Sequence, residues 1–154
     1  MTAGDICNRK VIFTRPDTTI VDAAAAMKRH HVGTLLVVPD GDGERVPIGI
    51  VTDRDITMAL DRVVTWPHMK VAEVMTVELV TAAEREPLHD ALKKMQAHGI
   101  RRLPVVNVRG GLEGILTLDD VMELLSEELT DLVRLVAAEQ KRERILHPGV
   151  PATH

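Results

Sequence analysis

The sequence predicts an α+β protein made of two copies of one β-α-β-β-α unit, with a long helix after the second copy. Three observations carry that prediction. First, the chain aligns with itself: Asp22-Ala23 matches Asp90-Ala91, Met27 matches Met95, His30 matches His98, and Val37-Val38 matches Val105-Val106. One loop-length difference then shifts the register, so that Gly49-Ile50, Thr52 and Asp55 match Gly114-Ile115, Thr117 and Asp120. Such self-similarity marks a repeated structural unit. Second, each copy alternates short strand-type apolar runs with one helical stripe. Third, Leu125, Leu129, Leu132 and Val136 follow helical spacing, and no breaker appears before Pro148-Gly149.

In order, Ile6 to Phe13 opens the first copy, with Val11-Ile12-Phe13 as a short strand. Arg15 to Thr19 forms a turn with good capping residues, and Ile20, Ala23, Ala24 and Met27 make the stripe of a helix closed by His30-His31. Val32 to Val38 is the next strand, Pro39 to Gly43 a hairpin-type loop, Ile48 to Val51 the third strand, and Asp55 to Leu60 a second helix. Asp61 to Lys70 is the boundary, where Trp66-Pro67 breaks regular structure and Trp66 serves as a packing plug. The second copy repeats the pattern. Val74 to Val80 is its first strand, Glu86-Pro87 opens a helix with Pro at the first position, Gly99 ends that helix, and Ile100–Val106 and Leu112–Leu116 are strands. A single helix then runs to about Leu146, and His147 to His154 forms a frayed tail. The expected divisions are 4–66, 67–126, 127–146 and 147–154. The leucine stripe is read as a subunit contact, giving a homodimer, with packing on its own domain as the alternative.

A chain of 154 residues can bury roughly two-thirds of its unfolded surface without staples. Phe13 and Trp66 are its only aromatic residues, so Val, Ile, Leu, Met and Ala must build the core. That poverty removes the stacking platforms of single-strand binders, and a net charge of -4 argues against a phosphate-tracking surface; no nucleic-acid partner is expected. Cys7 is the only cysteine, which excludes an internal disulfide and a cysteine-rich zinc site. Beside Ile6 it reads as a small buried residue rather than a nucleophile. No signal peptide is evident, and no apolar run approaches the roughly 20 residues of a membrane span, so a cytoplasmic protein is expected.

The chemistry concentrates at the duplicated helix starts. In Thr52-Asp53-Arg54-Asp55 and Thr117-Leu118-Asp119-Asp120, a Thr hydroxyl can cap the first turn, as an Asp follows three residues later. One such copy is an ordinary cap. Two copies in matching places build the same anion-friendly helix start twice. The histidines His30, His31, His89 and His98 lack metal-ligand spacing, and Asp40 to Glu44 lacks that of a calcium loop, so no metal site is assigned. No nucleophile elbow or phosphate-binding loop with Lys is present. Asp55 and Asp120 lack a partner acid, and no catalytic residue is assigned.

The order of elements, together with Pro16-Asp17-Thr18-Thr19-Ile20, Ile100-Arg101-Arg102-Leu103-Pro104-Val105-Val106 and the two Gly-Ile-x-Thr-x-x-Asp helix starts, resembles a tandem pair of CBS domains, or Bateman module, over Gly4 to about Ser126. The resemblance implies two repeats packed about a pseudo-two-fold axis, with two clefts for adenosyl ligands such as AMP, ADP, ATP or S-adenosylmethionine. It assigns the Thr hydroxyl to phosphate and the Asp carboxylate to ribose hydroxyls, and lines each cleft with residues from the other repeat's first strand. One cleft would hold Thr117, Asp120 and Ile115 with Cys7, Ile12 and Val32. The other would hold Thr52, Asp55 and Ile50 with Met75, Val80 and Ile100. Family members often meet phosphate with a basic side chain near Arg101-Arg102, where the first repeat has Gly33-Thr34. Strand alternation lets one of the two arginines face a given cleft. The Thr117 cleft is therefore ranked first for a phosphorylated ligand, with Arg54 as partial compensation at the Thr52 cleft. The expected function is non-enzymatic: sensing of an adenosyl ligand and signalling to an unlinked protein target. No cofactor is required, and accompaniment of the nucleotide by Mg²⁺ is left open. The alternatives are an interaction protein with empty clefts that docks a partner through its C-terminal helix, and a small hydrolase using the two Asp residues.

Overall fold

The computed structural model describes residues 1–41, 43–61 and 66–146. Residues 1–117 form one compact unit, and Leu118 begins a second. The first unit holds a one-turn helix α1 (Ala3–Ile6), then β1 (Phe13–Thr14), α2 (Ile20–His30), β2 (Thr34–Val37), β3 (Gly49–Thr52) and α3 (Asp53–Ala59). Two 3₁₀ turns, Trp66–His68 and Val71–Glu73, lead to β4 (Ala82–Ala83), α4 (Leu88–His98), β5 (Arg102–Val106) and β6 (Leu112–Thr117). The second unit contains α5 (Leu118–Leu146). No helix among the described residues is long and apolar enough to cross a membrane.

Each repeat builds a three-stranded sheet, β1-β2-β3 or β4-β5-β6. The first pair of strands is parallel, because a helix makes the crossover, and the second pair is antiparallel. In α2 the hydroxyl of Thr19 accepts the Asp22 N–H at 3.1 Å, and Ile20, Ala23 and Met27 turn a buried face inward. In α4 the matching buried residues are Ala91 and Met95. Both helices end on a left-handed residue, His31 at φ 54° and Gly99 at φ 63°. Pro87 is the N-cap of α4, with Leu88 first in the helix, so proline stands one position earlier than expected.

One expected strand is shifted along the chain and another is not formed. Val11–Ile12 precedes a strand that starts only at Phe13, and residues 74–80 form no strand; their sheet contributes Ala82–Ala83 instead. The reason is a partner exchange. The lead of each repeat bonds to the other repeat's sheet. Ala3 and Gly4 donate to the carbonyls of Glu86 and Glu84 (2.8 and 2.9 Å), while Asn8 and Ile115 exchange both backbone bonds (2.9 and 3.0 Å). Sixty-eight residues on, Val71 and Ala72 donate to Thr18 and Pro16, and Thr76 exchanges bonds with Ile50. Val71 accordingly lies in the first repeat's core with Ala23, Met27, Leu35, Val37 and Val51. Complete burial of such a side chain contributes about 1.5–3 kcal/mol, so each repeat is stabilised by a piece of the other.

The exchange explains two glycines. A Cβ on Gly49 would stand 2.6 Å from Met75 Sδ, and one on Gly114 would stand 2.5 Å from Cys7 Sγ. It also accommodates Pro104 inside β5. Its antiparallel partner Ile115 spends both backbone groups on Asn8, so a proline opposite it forfeits no bond to β6.

Trp66 is partly buried against Ile20, Ala59 and Met69, a packing position at the junction. Residues 62–65 of the expected boundary and the tail at 147–154 lie outside the described residues. The helix α5 runs without interruption across position 127, where the sequence reading divides the second repeat from the extension.

Candidate functional site

The capped start of α3 is fully formed. The Thr52 hydroxyl accepts the Asp55 N–H at 3.2 Å and donates to Asp55 Oδ2 at 2.8 Å; the Thr52 N–H donates to the same oxygen at 2.7 Å. This geometry alone is not a site. Thr19 and Asp22 make the corresponding hydroxyl bonds at the start of α2, and the Thr2 N–H donates to Asp5 Oδ2 in the same way. What distinguishes Thr52 and Asp55 is the space they face.

They line a cavity of about 280 Å³, close to the lower end of the roughly 300–1,000 Å³ of small-molecule pockets. Ile50 contributes from β3, and Leu79, Val80, Ile100 and Pro104 add apolar wall from the second repeat. Thr76, Glu78, Arg101 and Arg102 supply polar groups. The cavity thus draws on both repeats, as the exchange of leads requires. Carboxylates from Asp55 and Glu78 stand with two guanidinium groups in one small space.

The structure places Arg101 and Arg102 on the Thr52 cavity, whereas the sequence reading assigns them to the Thr117 cleft. Continuity of the chain decides this, because Ile100 faces the Thr52 cavity and the next two residues follow it. Both arginines contribute to the lining. Arg101 lies on a bend before β5 begins, so strand alternation does not apply to it. Arg102 stands in register opposite Thr117, just as Thr34 stands opposite Thr52.

Of the other residues expected here, Ile50, Val80 and Ile100 line the cavity. Met75 packs beneath Gly49 and against the first core, and Arg54 is exposed on α3. In the group assigned to Thr117, the lead bearing Cys7 lies against Gly114 and Ile115, and Cys7 is buried. Ile12 accepts the Leu36 N–H at 3.2 Å and packs with Val32 against the first core. Asp120 belongs to the first turn of α5. Sequence reasoning misses Thr76, Glu78, Leu79 and Pro104. An assumed strand over 74–80 would turn alternate side chains away, but Leu79 N–H bonds to the Val77 carbonyl at 3.0 Å in a three-residue turn with Glu78 at its apex. Among the described residues, no three His, Cys, Asp or Glu side chains are grouped to hold a metal.

The CBS domain family model matches residues 3–62 and 71–127. This chain belongs to the CBS-domain family and is a tandem CBS pair. The CBS domain-containing protein YhcV of Bacillus subtilis is 38% identical over 117 residues, covering 76% of this chain and 80% of that protein. The chain spans only 62% of the length of an uncharacterised Methanopyrus kandleri protein, at 33% identity over 125 residues and with 80% of this chain covered. Among solved structures, the CBS domain pair of protein MJ0100 in complex with 5′-methylthioadenosine and S-adenosyl-L-methionine superposes with a TM-score of 0.71 at 30% identity, covering 83% of this chain and 98% of that one. CBSX2 in complex with AMP gives a TM-score of 0.70 at 27% identity, covering 82% and 96%.

Proposed function

We propose that this protein is a non-enzymatic regulatory module that binds an adenosyl ligand in the Thr52–Asp55 cavity and passes its occupancy to a protein partner. One observation carries the reading: a ribose acceptor, an apolar wall and two arginines converge on a single cavity. Asp55 keeps both Thr52 bonds on Oδ2, so Oδ1 can receive a ribose hydroxyl without dismantling the cap. Ile50, Leu79, Val80, Ile100 and Pro104 offer the adenine its apolar contact. Arg101 and Arg102 meet phosphate through charge-assisted bonds. The Thr52 hydroxyl is already engaged, so the arginines take the larger share of the phosphate, with Mg²⁺ at most accompanying it. The ligands brought by resemblance are AMP, ADP, ATP and S-adenosylmethionine, and those seen in MJ0100 and CBSX2 are of the same adenosyl class.

Occupancy becomes a signal because the ligand touches both repeats. It bridges Ile50, Thr52 and Asp55 of the first to residues 76–80 and 100–104 of the second. A ligand at about 100 times its dissociation constant stabilises the bound form by roughly 2.7 kcal/mol. In the sequence Thr117 and Asp120 are the duplicate of this pair, and Gly33 and Thr34 take the places that correspond to Arg101 and Arg102. Exposed Leu125, Leu129, Leu132 and Val136 on α5 support a homodimer through that helix. The same surface favours the alternative reading, an interaction protein whose clefts stay empty.

A thermal-shift screen with AMP, ADP, ATP, S-adenosylmethionine and NAD, followed by calorimetry, tests the proposal. Asp55→Ala should weaken the ligand found about tenfold or more, a loss of about 1.4 kcal/mol, and Asp120→Ala should weaken it less. The opposite ranking would return the main site to Thr117. If no adenosyl compound binds at millimolar concentration, the interaction protein is the better reading.

A further inference from the structure

Among the described residues, the charged side chains that line the cavity are Asp55, Glu78, Arg101 and Arg102. With Asp55 on the ribose and the arginines on phosphate, Glu78 is left without a task. Its place follows from the backbone. Ile50 and Thr76 donate to each other's carbonyls at 3.0 and 2.9 Å, so they stand opposite one another in an antiparallel bridge. From that bridge β3 runs on to Thr52 and the start of α3, and the lead of the second repeat runs the other way, to Glu78. The turn closed by the Leu79 N–H on the Val77 carbonyl sets Glu78 at its apex. Asp55 and Glu78 therefore reach the cavity from opposite sides of the Ile50–Thr76 pair. Beside Glu78 in the chain stand Leu79 and Val80, part of the apolar wall offered to the adenine. No hydrogen bond or ion pair with another described residue engages the Glu78 carboxylate.

We propose that Glu78 reads the base of an adenine nucleotide in this cavity by accepting a hydrogen bond from the exocyclic amine. The inference rests on the proposed function and gives that site its base specificity. It follows from matching donors to acceptors. An ionised carboxylate accepts and cannot donate, and a guanidinium donates and cannot accept. An adenine nucleotide offers donors at two places, the ribose hydroxyls and the exocyclic amine, and carries its charged acceptors on the phosphate. The cavity answers with two carboxylates and two guanidinium groups. Asp55 takes the ribose hydroxyls and the arginines take phosphate oxygens, so the remaining carboxylate meets the remaining donor. The Thr76 hydroxyl can donate or accept, and it leaves this match undisturbed. The reverse placement, with phosphate beside Glu78, would set like charges together and leave the amine facing cations.

The test is calorimetry on the full chain with AMP and with the 5′-monophosphate of purine riboside, which carries hydrogen in place of the amine. The unmodified protein should hold AMP about tenfold or more tighter, the ratio expected for one charge-assisted hydrogen bond. Glu78→Ala should bring that ratio close to one by weakening AMP, with the other nucleotide changed by no more than about twofold. Glu78→Gln keeps the shape and a neutral acceptor, and its ratio should fall between the two. Glu78 is exposed on a turn, so neither substitution removes core packing. A ratio near one in the unmodified protein, or a ratio unchanged by Glu78→Ala, would overturn the inference and leave the adenosyl cavity standing. Equal losses for both nucleotides would move Glu78 to the ribose, and equal gains would make it a carboxylate that repels phosphate; either result overturns the base-reading role. An unmodified protein that binds neither nucleotide at millimolar concentration would overturn the inference together with the reading of the cavity as an adenine-nucleotide site.

Discussion

Gly114→Ala and Gly49→Ala place the same methyl group at matching points of the two repeats, yet their costs should differ. At Gly114 the new Cβ would stand 2.5 Å from Cys7 Sγ, 3.0 Å from the Asn8 carbonyl oxygen and 3.1 Å from Cys7 Cβ. Two of those atoms are backbone or one bond from it, and the third is a short buried side chain, so the lead itself must move. At Gly49 the closest atom is Met75 Sδ at 2.6 Å, near the end of a flexible thioether, with the Thr76 carbonyl oxygen at 3.2 Å. Overpacking of this kind costs about 1–3 kcal/mol, offset by about 0.4–1 kcal/mol because alanine restricts the unfolded chain. Gly114→Ala should therefore destabilise by about 1–2 kcal/mol, and Gly49→Ala by no more than about half as much. Urea unfolding reads the difference as a shift in midpoint at constant slope. Cys7→Ala should recover part of the Gly114→Ala loss in a double-mutant cycle, because it removes the nearest atom. Equal costs at the two glycines, or strict additivity of Cys7→Ala with Gly114→Ala, would refute the account of the exchanged leads.

Three further outcomes are expected. Replacing both Arg101 and Arg102 with Ala should weaken AMP roughly tenfold to a hundredfold per lost charge-assisted bond of about 1.5–3 kcal/mol, yet barely change adenosine; equal losses in calorimetry would make the arginines structural. Gly99→Ala should lower stability by about 1 kcal/mol, whereas His31→Gly should leave it unchanged or raise it slightly, because only the first forces a Cβ into a left-handed cap and the second removes one; thermal melts decide. Hydrogen bonds from Thr2 hold the Asp5 carboxyl below its ordinary pKa. Its contribution is therefore present above that ordinary value and is lost as pH falls through the lowered one. Asp5→Asn should flatten the acid limb of the stability curve below about pH 4, and an unchanged limb would remove the bond's role.

The sequence alone determines the repeat, the helices and the family. Periodic apolar residues such as Ile20, Ala23 and Met27 specify a buried helix face whatever lies opposite, and a Thr followed three residues later by Asp specifies a cap from local bonds alone. The 29-residue α5 is legible for the same reason: no glycine or proline interrupts it. Only tertiary structure decides which repeat each lead joins. Val71 looks like part of its own repeat in the sequence and is buried in the other one. That exchange takes residues 74–80 out of any strand and sets Glu78, Leu79 and Val80, with Arg101 and Arg102, around the cavity that Thr52 lines. The residues that make the cavity are chosen by backbone hydrogen bonds between distant segments, Ile50 with Thr76 and Ile115 with Asn8. Such pairing depends on which surfaces meet, and local propensity holds no record of it.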